Sequence, residues 1–190
     1  MTPAIDVDTQ LMLRVQRDDA SSFGELLERN RSIVVSYLSR MVVNRAVAEE
    51  LAQDVFVRVY RSRRTYEPTA RFSTWLYRIT TNVALNYFRD ERITQNQVSL
   101  DMQDAVQLRR EAADGTPLVE DRLVNEVVAR QIRGAIRALP PKQRAAVIMH
   151  KYEEMDYAQI ARVLGCSTSA VKALMFRAYE TLRMRLKGLA

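Results

Sequence analysis

Cysteine and histidine are almost missing from this chain, with Cys166 and His150 the single examples of each in 190 residues. A lone cysteine excludes an internal disulfide, and one cysteine with one histidine cannot make a four-ligand zinc site. Glycine and proline are scarce as well, at five each, too few for a sheet protein that turns tightly between short strands. No apolar run reaches the length of a membrane span, and the opening "MTPAIDVDTQLML" carries Asp6 and Asp8 where a secretory leader would be basic. A cytoplasmic protein that is not integral to a membrane is the expectation. The chain also lacks a glycine-rich phosphate loop, a metal-ligand cluster and a nucleophile with a plausible base, His150 being isolated. An enzyme, a cofactor and a small-molecule substrate are therefore not expected.

What the sequence does contain is apolar residues, 47% of the total, recurring at intervals of three and four. That periodicity predicts an all-α fold with enough core for two small domains. Helices are expected over 8–17, 21–43, 45–64 and 72–91, with Pro68 breaking the chain before the last. A second set is expected over 119–138, 142–153, 157–164 and 168–187, with Pro140 and Pro141 separating its first two. Between Ile93 and Leu118 the period fades and polar residues dominate, which marks a flexible linker with at most one frayed helix. The domains are thus read as 1–92, 93–118 and 119–190.

Charge follows the same division. The net charge is +6, yet residues 90–126 hold four basic and nine acidic side chains, while 1–89 hold thirteen and ten and 139–190 hold nine and four. A polyanion would be attracted to the two ends and repelled by the middle.

Three segments carry specific signals. In "DYAQIARVLGCSTSAVKALMFRAYETLR" a short helix, a turn through Gly165, and a longer helix capped by Ser167 make a helix-turn-helix. With Val171, Met175, Ala178 and Leu182 turned inward, Thr168, Ser169, Lys172, Ala173 and Phe176 face outward. A lysine and two hydroxyls can meet base edges or phosphate, and Phe176 or Ala173 a thymine methyl; Arg177, Arg183 and Arg185 suit phosphate. In "RFSTWLYRITTNVALNYFR" the mediocre helix formers Asn82 and Asn86 sit among arginines and aromatics. Arg78, Asn82, Asn86 and Arg89 fall along one stripe, and Phe72, Leu76, Ile79 and Val83 along the buried one. In "AVAEELAQDVFVRVYRSR", Val47, Leu51, Val55 or Phe56, and Val59 form an apolar seam that leaves Glu49, Glu50, Gln53 and Asp54 as an acidic outer rim.

"LPPKQRAAVIMHKYEEMDYAQIARVLGCSTSAVKALMFRAYETLR" resembles domain 4 of bacterial sigma factors. "AEELAQDVFVRVYR" with "FSTWLYRITTNVALNYFR" resembles their domain 2, most of all in the extracytoplasmic-function group similar to sigma-E. The resemblance runs from about Asp8 to Leu186. It implies two small helical domains joined by a linker, and a subunit that binds core RNA polymerase and directs promoter-specific initiation. By the same resemblance the minus-10 DNA-binding residues would be Arg71, Trp75, Tyr77, Arg78, Asn82, Asn86 and Arg89, with the loop Glu67–Arg71 pocketing a flipped base. Trp75 matches the first aromatic of the tryptophan pair of housekeeping sigma factors; the second position here is Leu76. The minus-35 set would be Ser167, Thr168, Ser169, Lys172, Phe176 and Arg177. Relatives commonly carry arginine two residues after the position matched to Lys172, where this chain has Leu174. Glu49, Glu50, Gln53, Asp54 and Arg58 would contact the clamp helices of the largest polymerase subunit, and domain 4 would dock on the flap of the second-largest. An anti-sigma factor is a further implied partner, and the acidic linker would occupy a basic polymerase channel. A free-standing helix-turn-helix regulator of the LuxR type is the alternative; it would need a sensor or dimerisation module in place of the aromatic and basic helix within residues 1–92.

Overall fold

The computed structural model describes residues 6–101 and 120–187, with side chains over 6–93 and 127–187. Every regular element among them is helical: α1 (Val7–Val15), α2 (Ala20–Met41), α3 (Arg45–Arg61), a 3-10 turn (Arg63–Thr65), α4 (Phe72–Asp101), α5 (Glu120–Arg137), α6 (Pro141–Tyr152), α7 (Tyr157–Leu164) and α8 (Thr168–Arg185).

Helix starts follow local chemistry. Asp6, Asp19 and Asn44 accept backbone N–H groups at the heads of α1, α2 and α3, satisfying donors that have no partner within the helix. Pro141 opens α6 at a position where its missing N–H is harmless. Asp156 and Gln159 form a reciprocal capping box at α7.

Helices α1 to α4 form one bundle around Met12, Leu26, Leu38, Met41, Val55, Phe72 and Leu76, all essentially inaccessible to solvent. Removing each such side chain from water stabilises by about 1.5–3 kcal/mol before the entropy of ordering is counted. Helices α6, α7 and α8 enclose Leu139, Ile148, Met149, Ile160, Val171 and Met175, and α5 lies at their edge. The two bundles also pack on each other, α4 against α7 and α2 against α6, so that one continuous apolar cluster runs through both.

Two boundaries differ from the sequence expectation. Helix α3 ends at Arg61 and passes into the 3-10 turn. Helix α4 continues to Asp101, so the first nine residues assigned to the linker are helical; their polar side chains hide the 3.6-residue period while leaving backbone hydrogen bonding intact. Residues 102–118 of that linker, and any placement of their acidic charge, lie outside the described residues.

Candidate nucleic-acid interface

Helix α4 is covered on most of its circumference. Phe72, Leu76 and Val83 face the other helices of the first bundle, and Tyr77, Thr80, Thr81 and Ala84 are buried as well. Thr81 Oγ1 lies 2.9 Å from the hydroxyl of fully buried Tyr37, and Thr80 bonds back to the Leu76 carbonyl at 2.9 Å. What remains is a narrow ridge on which Arg71, Arg78, Asn82 and Arg89 are exposed and Trp75 and Asn86 half-buried. These six recur at intervals of three and four, which places them along one side of the helix. Trp75 packs edge-on to Tyr66 with ring centroids 4.9 Å apart and tilts against Phe72 at 5.7 Å. The ridge therefore stands on a rigid aromatic base.

Tyr77 does not belong to this ridge. It is 8% exposed and donates its hydroxyl to a carboxylate oxygen of Glu153, and burial, followed by that carboxylate, pushes its ionisation well above the ordinary phenol range. One residue along a helix is a rotation of about 100°, so its place beside Arg78 already turns it off the stripe. The loop before α4 leaves Glu67, Pro68, Thr69 and Arg71 exposed.

The turn between α7 and α8 is made by Gly165 at φ 62°, ψ 41°. In this left-handed conformation both its own N–H and that of Cys166 reach the Ala161 carbonyl, the latter at 3.0 Å. Ser167 Oγ then accepts the Ala170 N–H at 3.1 Å and starts α8. Val171, Met175 and Ala178 are buried. Ser167, Thr168, Ser169, Lys172, Phe176 and Arg177 are all exposed, as is Ala173, so the outward face is assembled as the spacing predicts. Phe176 is 64% exposed, unusual for a side chain with that much apolar area unless it meets a partner. Leu174 is half-buried against the core, so its side chain is engaged in packing.

On α3, Glu49, Glu50, Gln53 and Arg58 are exposed and Asp54 is half-buried. Arg45 pairs with Glu49 at 3.3 Å and Arg58 with Asp54 at 3.0 Å, one turn apart in each case. Exposed pairs of this kind contribute only about 0.3–0.5 kcal/mol and yield readily to another partner. Beside them lies a groove of about 390 Å³ walled by Phe23, Leu27, Phe56, Val57 and Tyr60. Val57 and Tyr60, 45% and 40% exposed, are part of the α3 surface that the acidic pattern did not reveal; they are apolar residues out of phase with the buried seam, which is the signal that marks them.

No helix among the described residues is long and apolar enough to cross a membrane.

Comparison with known proteins matches two family models in chain order: Sigma-70 region 2 over residues 26–94 and Sigma-70, region 4 over 129–182. The RNA polymerase sigma factor CarQ of Myxococcus xanthus is 34% identical over 168 residues, covering 88% of this chain and 91% of that protein. The ECF RNA polymerase sigma factor SigW of Bacillus subtilis is 28% identical, covering 93% and 95%, and the ECF RNA polymerase sigma-E factor of Escherichia coli is 28% identical, covering 96% and 95%. Among solved structures, CnrH in complex with the cytosolic domain of CnrY shares the fold with a TM-score of 0.69 at 19% identity, over 97% of this chain and 100% of that one. A regulator of the LuxR type gives no account of the region 2 match. A strand-facing ridge on α4, a groove-facing helix α8 and family models spanning both bundles agree: this chain belongs to the extracytoplasmic-function group of sigma-70 family RNA polymerase sigma factors.

Proposed function

We propose that the three surfaces divide promoter recognition among them, in a protein that directs initiation through core RNA polymerase and performs no catalysis itself. Arg71, Trp75, Arg78, Asn82, Asn86 and Arg89 take the separated minus-10 strand: asparagine amides pair with base edges, arginines with phosphate, and Trp75 offers a ring edge to a base. A base stacked on an aromatic is worth about 1–3 kcal/mol, sufficient to hold an unpaired nucleotide out of the duplex. The loop Glu67–Arg71 receives one such base. Ser167, Thr168, Ser169, Lys172, Phe176 and Arg177 enter the major groove at minus-35. Glu49, Glu50, Gln53, Asp54 and Arg58 dock on the clamp helices of the largest polymerase subunit, and the C-terminal bundle docks on the flap of the second-largest. The domains run 1–92, 93–118 and 119–190, the middle one joining the two DNA readers, and the protein works in the cytoplasm.

The observation that carries this reading is the α4 ridge. Polar and cationic side chains project from a helix that is otherwise locked on nearly every side, which is how a surface stays organised while a flexible single strand settles on it. The neighbour RpoE of Bartonella quintana was solved with the anti-sigma factor NepR, and an anti-sigma factor is proposed as a partner here too. Run-off transcription with purified core enzyme tests the whole. Promoter-dependent transcripts requiring this chain are expected, with an asymmetric two-element footprint that appears only with polymerase; a symmetric footprint from the chain alone would refute it.

A further inference from the structure

The two bundles meet through polar contacts made at fixed points. Glu153 caps the end of α6 with a side chain only 14% exposed. Its carboxylate accepts the Tyr77 hydroxyl from α4 and lies 3.8 Å from Arg40 of α2, whose guanidinium stacks over Tyr152 at 4.7 Å. A carboxylate so covered is costly to leave without partners, and here both come from the opposite bundle. Arg144 of α6 reaches the Met41 carbonyl at the end of α2 and sits over Phe88 of α4 at 4.9 Å.

These contacts set α7 beside the start of α4. Thr69, Ala70, Arg71 and Thr74 then face Asp156, Ala158, Gln159 and Arg162 across a gap of about 360 Å³. That is the lower end of the range for a small-molecule pocket, too confined for a continuing strand. The turn feeding α7 also brings Glu153, Glu154 and Asp156 close to the loop, and negative charge there opposes a phosphate backbone.

We infer that the free chain is self-shielded: Glu153 fastens α7 over the loop that would receive the flipped base, and strand capture at minus-10 requires that fastening to release. This rests on the function proposed above for the loop. The bundles close through Tyr77 and Arg40 on one side and Arg144 on the other, and opening them uncovers the loop and Arg71 together.

The test uses the full chain with spin labels at exposed Cys166 and at Glu25→Cys on the open face of α2. Electron–electron distance measurement should give one narrow distribution in the otherwise unchanged protein, and a broader, longer one in Glu153→Arg, which sets two arginines against each other. Affinity of the free chain for a single-stranded minus-10 oligonucleotide should rise about tenfold or more in Glu153→Arg, the factor by which an open population of one in ten lowers apparent binding. Glu180→Arg on α8 makes the same charge change away from the joint and should leave the distances unaltered and the affinity well short of that gain. A broad distribution in the unchanged protein, an unaltered one in Glu153→Arg, or wider distances without tighter binding each overturns the inference. Run-off transcription reads the sigma function separately: narrow distances without promoter-dependent transcripts would defeat the function and leave the closure standing.

Discussion

Alanine in place of glycine should have opposite effects at two kinds of position in this protein, and the sign follows from backbone geometry alone. Gly165 sits at φ 62°, and a Cβ built there meets nothing within 4 Å, so no clash enters the estimate. What remains is the intrinsic penalty of a left-handed L-residue, about 1–2 kcal/mol, offset by about 0.4–1 kcal/mol because alanine leaves the unfolded chain fewer conformations to lose. The net loss is about 0.5–1 kcal/mol. Gly24 and Gly134 lie inside α2 and α5, and a Cβ at either also meets nothing within 4 Å. Alanine there should stabilise by about 0.5–1 kcal/mol. At about 2–4 °C per kcal/mol for a chain of this length, Gly165→Ala should melt about 1–4 °C below the parent and the two helical variants about as far above it. Thermal denaturation followed by circular dichroism reads all three. Because the turn keeps its hydrogen bonds to the Ala161 carbonyl, Gly165→Ala should retain minus-35 binding at temperatures where it is folded. A Gly165→Ala protein that melts at or above the parent would refute the reasoning.

Asn82→Ala should slow open-complex formation while leaving closed-complex binding nearly unchanged, as followed by permanganate reactivity of unpaired thymines; equal loss of both would argue against strand recognition. Lys172→Ala should cost about 1–3 kcal/mol at one base pair of the minus-35 element and relax selectivity there, measured on base-substituted duplexes, whereas a uniform loss across sequences would make it a phosphate contact. Burial holds the phenols of Tyr37 and Tyr77 well above their ordinary value of 10, so the stability this represents is intact below pH 10 and declines as the pH rises beyond it. Their phenolate absorbance should therefore emerge only as helical circular dichroism is lost, and ionisation within an intact fold would refute this. Hydrogen bonds from the hydroxyls and N–H groups of Ser21 and Ser22 lower the Asp19 carboxyl from 3.8 to about 2; its contribution is complete above about pH 4 and is lost as the pH falls toward 2, which carboxyl NMR titration can follow.

Local chemistry made much of this molecule legible in its sequence. The limits of α7 match expectation because Asp156 at its head and Gly165 at its end act on their own neighbours, and α8 starts where Ser167 can cap it. The α4 ridge was legible because spacing of three and four maps directly onto one side of a helix. Tyr77 was misplaced because residue type was given weight over phase. The length of α4 escaped notice since a polar run past Ile93 carries no apolar period. The joint between the bundles was beyond reach for a different reason: Glu153 meets Tyr77 and Arg144 meets Met41 across 76 and 103 residues, and nothing in the neighbourhood of any of the four announces its counterpart.

Arg144 deserves a last thought for the kind of anchor it provides. Its guanidinium lies among the backbone carbonyls of Met41, Arg137 and Leu139, so the positive charge is met by the dipoles of two helix ends. Acid neutralises carboxylates and leaves peptide carbonyls as they are, and the arginine stays protonated throughout the physiological range. Of the two polar ties between the bundles, one can be undone by a proton and the other cannot, which gives the joint the character of a door with a catch on one edge and a hinge on the other.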